Sequence, residues 1–240
     1  MSTARAAAYP SALSPAVVFD LDGTLVDSEP NYYEAGRRLL AGHGVPDFSW
    51  EQHTRYIGIS TRETLEAWRT EYGIGAPLDE LLLAKNRIYL ELARASTEVF
   101  PEMRALVERL HTRGAPMAVA SGSSRAAIEA VLDGTGLTPY FTLVVSAEEV
   151  PRGKPAPDVF LEAARRLGVD PADCVVLEDA APGVRAARAA GMRCVAVPYV
   201  RSTADDPAFR EAELLFPRGQ EEFTARAVYA WLTGTRQDTA

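Results

Sequence analysis

The chain has 240 residues, 47% of them hydrophobic, and a formal net charge of −8. That length supports a full core in one or two domains, and the acidic balance argues against nucleic acid as a partner. No apolar run reaches the ~18 residues of a membrane-spanning helix, so no membrane partner is expected.

In chain order, residues 1–14 read as a loose tail, with one arginine and no continuous apolar stretch of the kind a secretory signal needs. The first strand is "AVVFD" (16–20), followed at once by Asp22, Gly23 and Thr24. Residues 28–95 carry no strand pattern. They hold helical stretches instead, "NYYEAGRRLLAGHG", "TRETLEAWRTEYG" and "LDELLLAKNRIYLELARA", which predict an all-helical insert acting as a cap domain. "VFPEMRALVERLHTRG" then resumes the core as a helix. Four further apolar runs follow: "PMAVAS" (116–121), "TLVVSA" (142–147), "CVVLED" (174–179) and "CVAVP" (194–198). They are continuous rather than alternating, the pattern of parallel strands covered on both faces. Between them "SRAAIEAVLDGTGL", "APDVFLEAARRLGVD" and "APGVRAARAAGM" have helical spacing and end at glycines. Strand–helix alternation predicts an α/β fold with a doubly wound parallel sheet. The core domain is expected over 15–27 and 96–234, and the polar end beyond Gly234 is expected to fray. Cys174 and Cys194 each open an apolar run and read as buried thiols of a cytoplasmic protein.

One compositional bias stands out. Of 25 basic residues only Lys85 and Lys154 are lysines. A lysine kept against that bias suits a place needing a compact ammonium rather than a planar guanidinium.

In open parallel sheets, ligands bind at the carboxyl ends of strands near a reversal of strand order. Here those ends carry Asp20, Ser121, and the pair Glu178 and Asp179, while Lys154 sits in the "RGKPAPDVF" segment. Each has an ordinary reading alone. Asp-x-Asp is common turn chemistry, a serine after a strand is a helix entry, and paired acids suit a helix N-terminus. Their joint occurrence at strand ends points to phosphoryl chemistry with a hard cation such as Mg²⁺. Asp20 suits a nucleophile that is also a metal ligand. Asp22 suits an acid that protonates the leaving oxygen and then activates water. Thr24 and Ser121, with Gly23 and Gly122 beside them, suit phosphoryl binding, and Lys154 suits stabilisation of the transition state.

The stretches "DLDGTLVDSE", "VASGSS", "GKPAPDVF" and "LEDAAPGV" resemble the haloacid dehalogenase superfamily, within it the β-phosphoglucomutase-like phosphatases with a helical cap after the first strand. The resemblance runs from about Ala16 to Arg201. It implies a Rossmann-like core, an aspartyl phosphate on Asp20, and Asp22 as acid/base. It also implies Mg²⁺ held by Asp20, the backbone carbonyl of Asp22, and Asp179, with Glu178 close by in the metal group. The second aspartate argues against the dehalogenase branch, whose members lack that acid/base.

The cap bears on the choice between phosphatase and phosphosugar mutase. "GISTRETL" (58–65), with Arg62, and "AKNR" (84–87), with Lys85 and Asn86, are similar to the mutases and mark candidate substrate residues. The mutases carry a histidine twelve residues after the nucleophile, where this chain has Tyr32. That departure favours hydrolysis of a small phosphorylated metabolite, a sugar phosphate, with the mutase as the alternative and a non-catalytic binding module as a third reading. His43, His53 and His111 lie outside the motifs and read as surface or structural. A monomer or weak dimer is expected.

Overall fold

The computed structural model describes residues 15–57, 61–200 and 205–234. Both tails read from the sequence lie outside them, as do Gly58, Ile59 and Ser60. Strand β1 (Ala16–Phe19) is wholly buried. Its side chains alternate between two apolar clusters: Val17 and Phe19 join one, Ala16 and Val18 the other. That is why the strand reads as a continuous apolar run rather than an alternating one.

The chain then passes through β2 (Val26–Asp27) into four helices, α1 (Glu29–Gly42), α2 (Trp50–Thr54), α3 (Thr61–Tyr72) and α4 (Leu78–Ser96), and returns through β3 (Glu98–Val99). These helices form the cap and enclose a third apolar cluster, with Leu39, Leu40, Phe48, Leu65, Trp68 and Leu81. Helix α4 serves both bodies. Its Leu81 packs in the cap, while Tyr89 and Ala93, further along the same buried face, pack in the cluster under the sheet.

Beyond β3 come α5 (Pro101–Thr112), β4 (Met117–Ser121), α6 (Arg125–Gly134), β5 (Val144–Ser146), α7 (Asp158–Leu167), β6 (Cys174–Glu178), α8 (Ala181–Ala189), β7 (Arg193–Ala196), β8 (Leu214–Leu215) and α9 (Ala225–Thr233). The six-stranded sheet has the order β5-β4-β1-β6-β7-β8, and every pairing in it is parallel. The chain winds out from β1 to β5 and then returns to β6 on the other side. The carboxyl ends of β4, β1 and β6 therefore meet at the reversal, where a ligand crevice forms.

The α/β fold with a helical cap agrees with the sequence reading; five elements do not appear in it. β2 and β3 pair antiparallel, Val26 with Val99 and Asp27 with Glu98. The two connections to the cap thus hydrogen-bond to each other. Two-residue strands carry no periodicity, and β8 escaped for the same reason. Helix α2 rests on a capping box between Ser49 and Gln52 rather than on a long apolar period. Helix α9 lies past the last segment that the strand pattern called for. Both cysteines are buried and free, and no helix among the described residues is long and apolar enough to cross a membrane.

Candidate active site

Asp20 follows β1 directly. Its N–H bonds the Leu177 carbonyl at 3.0 Å, which ties the end of β1 to β6 and sets Asp20 beside Glu178. Lys154, from the segment before α7, donates from Nζ to Asp20 Oδ1 and, at 2.7 Å, to Glu178 Oε1. Asp20 and Glu178 are buried, at 5% and 1% exposure. Burial pushes the Asp20 carboxyl up to about 7; Lys154 opposes that shift, and Glu178 and Asp22 add to it. Burial also works against the Lys154 ammonium, but Asp20 and Glu178 outweigh it and hold the lysine above its ordinary range.

Both oxygens of Glu178 are bonded within the protein. Its Oε2 accepts the Ala180 N–H at 2.9 Å. Gly183 in α8 packs so closely on the carboxylate that a Cβ there would collide with it. With one oxygen on Lys154 and the other on the entry to α8, Glu178 anchors the lysine.

Asp179 accepts from Thr24 Oγ1 at 3.1 Å. Burial, then Glu178 and Asp20, push its carboxyl well above the usual carboxylate range. Gly23, at φ 79°, brings the backbone against Asp179 so closely that a Cβ would meet its carboxylate. No three His, Cys, Asp or Glu side chains among the described residues converge as a metal-binding group. A Mg²⁺ site needs less: one or two carboxylates, with water and substrate phosphate completing an octahedron. Two crowded carboxylates at raised pKa, closed in by a glycine, fit such an ion.

Asp22 sits among hydroxyls. Ser121, buried at the end of β4, donates from Oγ to Asp22 Oδ2 at 3.3 Å, and Ser123 Oγ donates to the same oxygen at 2.6 Å. Tyr89 of α4 donates from Oη to Asp22 Oδ1 at 3.3 Å. The Ser121 hydroxyl also accepts the Ser123 N–H at 3.0 Å, across the exposed Gly122. Thr24 and Ser121 thus both direct their hydroxyl protons to carboxylates, where the sequence reading gave them to a phosphoryl oxygen.

The cap residues divide. Tyr32 of α1 reaches the core: its Oη lies 3.0 Å from Ser123 Oγ, and its ring stacks on Tyr89 at 4.2 Å. Lys85 is buried, with Nζ 5.4 Å from the Tyr32 ring centre and 5.5 Å from that of Trp68. Burial lowers it to about 8, against the pull of Glu29. Arg62 instead pairs with Asp79 at 3.1 Å with its side chain 56% exposed, and Asn86 is exposed. Neither is part of this junction. His53 is buried and bonds Glu29 at 2.9 Å, while His43 and His111 are exposed.

Two residues of the site were not singled out for it in the sequence. Ser123 lies in the "VASGSS" stretch and Tyr89 in the helical stretch "LDELLLAKNRIYLELARA", neither with a role of its own there. A signal for Tyr89 existed: Leu81, Lys85, Tyr89 and Ala93 recur every fourth residue on the buried face of α4. A lysine and a tyrosine on such a face need polar partners.

A doubly wound sheet that brings a lysine-bridged carboxylate to its strand ends under a helical cap defines a capped hydrolase of the α/β class. The model of the haloacid dehalogenase-like hydrolases matches residues 15–191. The chain belongs to that family. It is 40% identical over 189 residues to the fructose-1-phosphate phosphatase YqaB of Escherichia coli (strain K12), covering 75% of this chain and 95% of that protein. It is 36% identical over 190 residues to a bifunctional riboflavin kinase/FMN phosphatase of Arabidopsis thaliana; the match covers 78% of this chain and about half, 49%, of that longer protein. The crystal structure of CbbY from Rhodobacter sphaeroides in complex with phosphate is similar at a TM-score of 0.75 and 26% identity, covering 88% of this chain and 96% of that one.

Proposed function

We propose that this phosphoric monoester hydrolase removes the phosphoryl group from a small sugar phosphate through an aspartyl phosphate on Asp20. The observation that carries the reading is the Lys154 ammonium shared by Asp20 and Glu178, two residues before a hydroxyl-held Asp22. Asp20 attacks phosphorus, Asp22 supplies the proton to the departing oxygen, and Lys154 offsets negative charge at the reacting centre. Asp20, Asp179 and the Asp22 carbonyl would hold Mg²⁺, which supplies charge neutralisation for the phosphoryl oxygens. Residues 28–95 act as the cap over a core of 15–27 and 96–234, and Lys85 meets the sugar end of the substrate. The sugar-phosphate class is supported by the relative that acts on fructose 1-phosphate. Hydrolysis is favoured over mutase chemistry by Tyr32, whose phenol burial and the Asp22 charge hold well above its ordinary range, so that it supplies no base where the mutases carry histidine. The two buried free thiols suit the cytoplasm.

The test is a screen of phosphorylated sugars with Mg²⁺, following free phosphate and isomerised sugar phosphate separately. Release of phosphate that stops in excess chelator and returns with Mg²⁺ is expected. Full activity in chelator, or interconversion of 1- and 6-phosphates without net release, contradicts the reading.

A further inference from the structure

We infer that Tyr89 and Tyr32 of the cap are positioning residues for Asp22, fixing which carboxylate oxygen handles the proton. The inference rests on Asp22 being the acid/base. Its starting point is a count of protons. Ser123 has one hydroxyl proton, and at 2.6 Å that proton goes to Asp22 Oδ2. The contact between Ser123 Oγ and Tyr32 Oη at 3.0 Å must then be donated by the tyrosine. A chain of donors therefore runs from the cap into the core, from Tyr32 to Ser123 to Asp22.

Tyr89 makes a second, separate contact, from Oη to Asp22 Oδ1 at 3.3 Å. The two phenol rings stack at 4.2 Å with 21° between their planes, so they pack as a pair beside Asp22. Tyr32 lies on α1 and Tyr89 on α4, whereas Asp22 and Ser123 lie on loops of the core. The orientation of Asp22 is thus set jointly by cap and core.

The two oxygens of Asp22 are held unequally. Oδ2 has the short bond from Ser123 and a longer one from Ser121. Oδ1 has only the long contact from Tyr89 among the described residues. A charge-assisted bond strengthens as it shortens, so Oδ2 is the anchor and Oδ1 the oxygen free to exchange a proton. In the first step a bond forms between an Asp20 oxygen and phosphorus as the phosphorus–ester oxygen bond breaks. The proton on Asp22 Oδ1 passes to the departing oxygen, leaving Asp22 ionised. In the second, a water oxygen bonds phosphorus, the Asp20–phosphorus bond breaks, and Oδ1 takes the water's proton. The phenol of Tyr89 guides Oδ1 through both steps.

Proton donation matters most when the leaving group is a weak acid. The test uses substituted phenyl phosphates, from p-nitrophenyl to unsubstituted phenyl, and reads kcat/KM against leaving-group acidity for wild type, Tyr89→Phe, Tyr32→Phe and Asp22→Asn. Tyr89→Phe and Tyr32→Phe are expected to stay within about twofold of wild type on p-nitrophenyl phosphate. On phenyl phosphate they are expected to fall about tenfold, within the 10²–10⁴ that acid–base catalysis contributes in full. Asp22→Asn shows the same steepening, more strongly. Equal losses across the series for both tyrosine variants overturn the positioning role, because a merely structural defect lowers all esters alike. If Tyr89→Phe fails to fold, Tyr32→Phe decides. A flat series for Asp22→Asn overturns the acid/base reading itself, and the inference with it.

Discussion

The core and the cap each bury one of the chain's two lysines, and they treat its charge in opposite ways. Lys154 donates to Asp20 and Glu178, and those carboxylates hold it charged. Lys85 faces the rings of Tyr32 and Trp68, and burial lowers it to about 8, with Glu29 as the charge that resists. Ring faces attract a cation but replace its hydration poorly. The core site is therefore electrostatically assembled before substrate arrives. On the proposed function, the compensation of the cap cation is left to an anionic or hydroxyl-rich substrate. In a chain that uses arginine almost everywhere else, lysine survives where a compact charge is enclosed.

The sharpest way to break this contrast is Lys154→Ala. It removes the ammonium from the reacting centre and leaves Asp20 and Glu178 buried without their counter-ion. We expect kcat to fall by about 10²–10³, alike for sugar and aryl phosphates, and stability to drop by about 3–5 kcal/mol, as when one partner of a buried pair is removed. Steady-state kinetics and urea unfolding read the two effects. A variant with unchanged stability would mean that the Lys154 bridge is not what holds the carboxylates.

Lys85→Met should act in the reverse sense on stability. The folded value of about 8 lies below the ordinary lysine value of 10.5, so between them the unfolded chain binds more protons than the folded one. Stability of the wild type therefore rises as pH increases from about 8 toward 10.5, and is reduced below that window. The methionine variant removes that dependence and should melt higher at neutral pH, by about 2–4 °C per kcal/mol recovered. Its kcat/KM should fall about tenfold on the sugar substrate and stay within about twofold on a small aryl phosphate that does not reach the cap. A lower melting temperature at pH 7, or equal losses on both substrates, would put Lys85 on the same footing as Lys154.

The same contrast marks how far the sequence alone could go. Asp20, Asp22, Glu178 and Asp179 were legible because they follow apolar strands, and Lys154 because it stands against the arginine bias shortly before a helix; strand–helix alternation implied parallel strands but not the order that brings these residues together. What their side chains bond was not legible. Glu178 serving Lys154, and Thr24 and Ser121 serving carboxylates, depend on rotamers and on packing such as Gly183 against Glu178. Tyr89 and Asp22 are 67 residues apart, and Ser123 and Asp22 are 101 apart; no local pattern records such pairs. Arg62 shows the converse. Its motif pointed to substrate, while its side chain pairs with Asp79 at the surface.

The central claim is that the phosphoryl group passes through Asp20. Rapid acid quench during turnover of a sugar phosphate carrying a labelled phosphoryl group, followed by peptide mapping, tests it most directly. The account requires a label that survives acid, is released by hydroxylamine, lies on the peptide holding Asp20 and is absent from Asp20→Asn, whose turnover should be lost. Product release with no protein-bound label, or a label on another peptide that persists in Asp20→Asn, would contradict it.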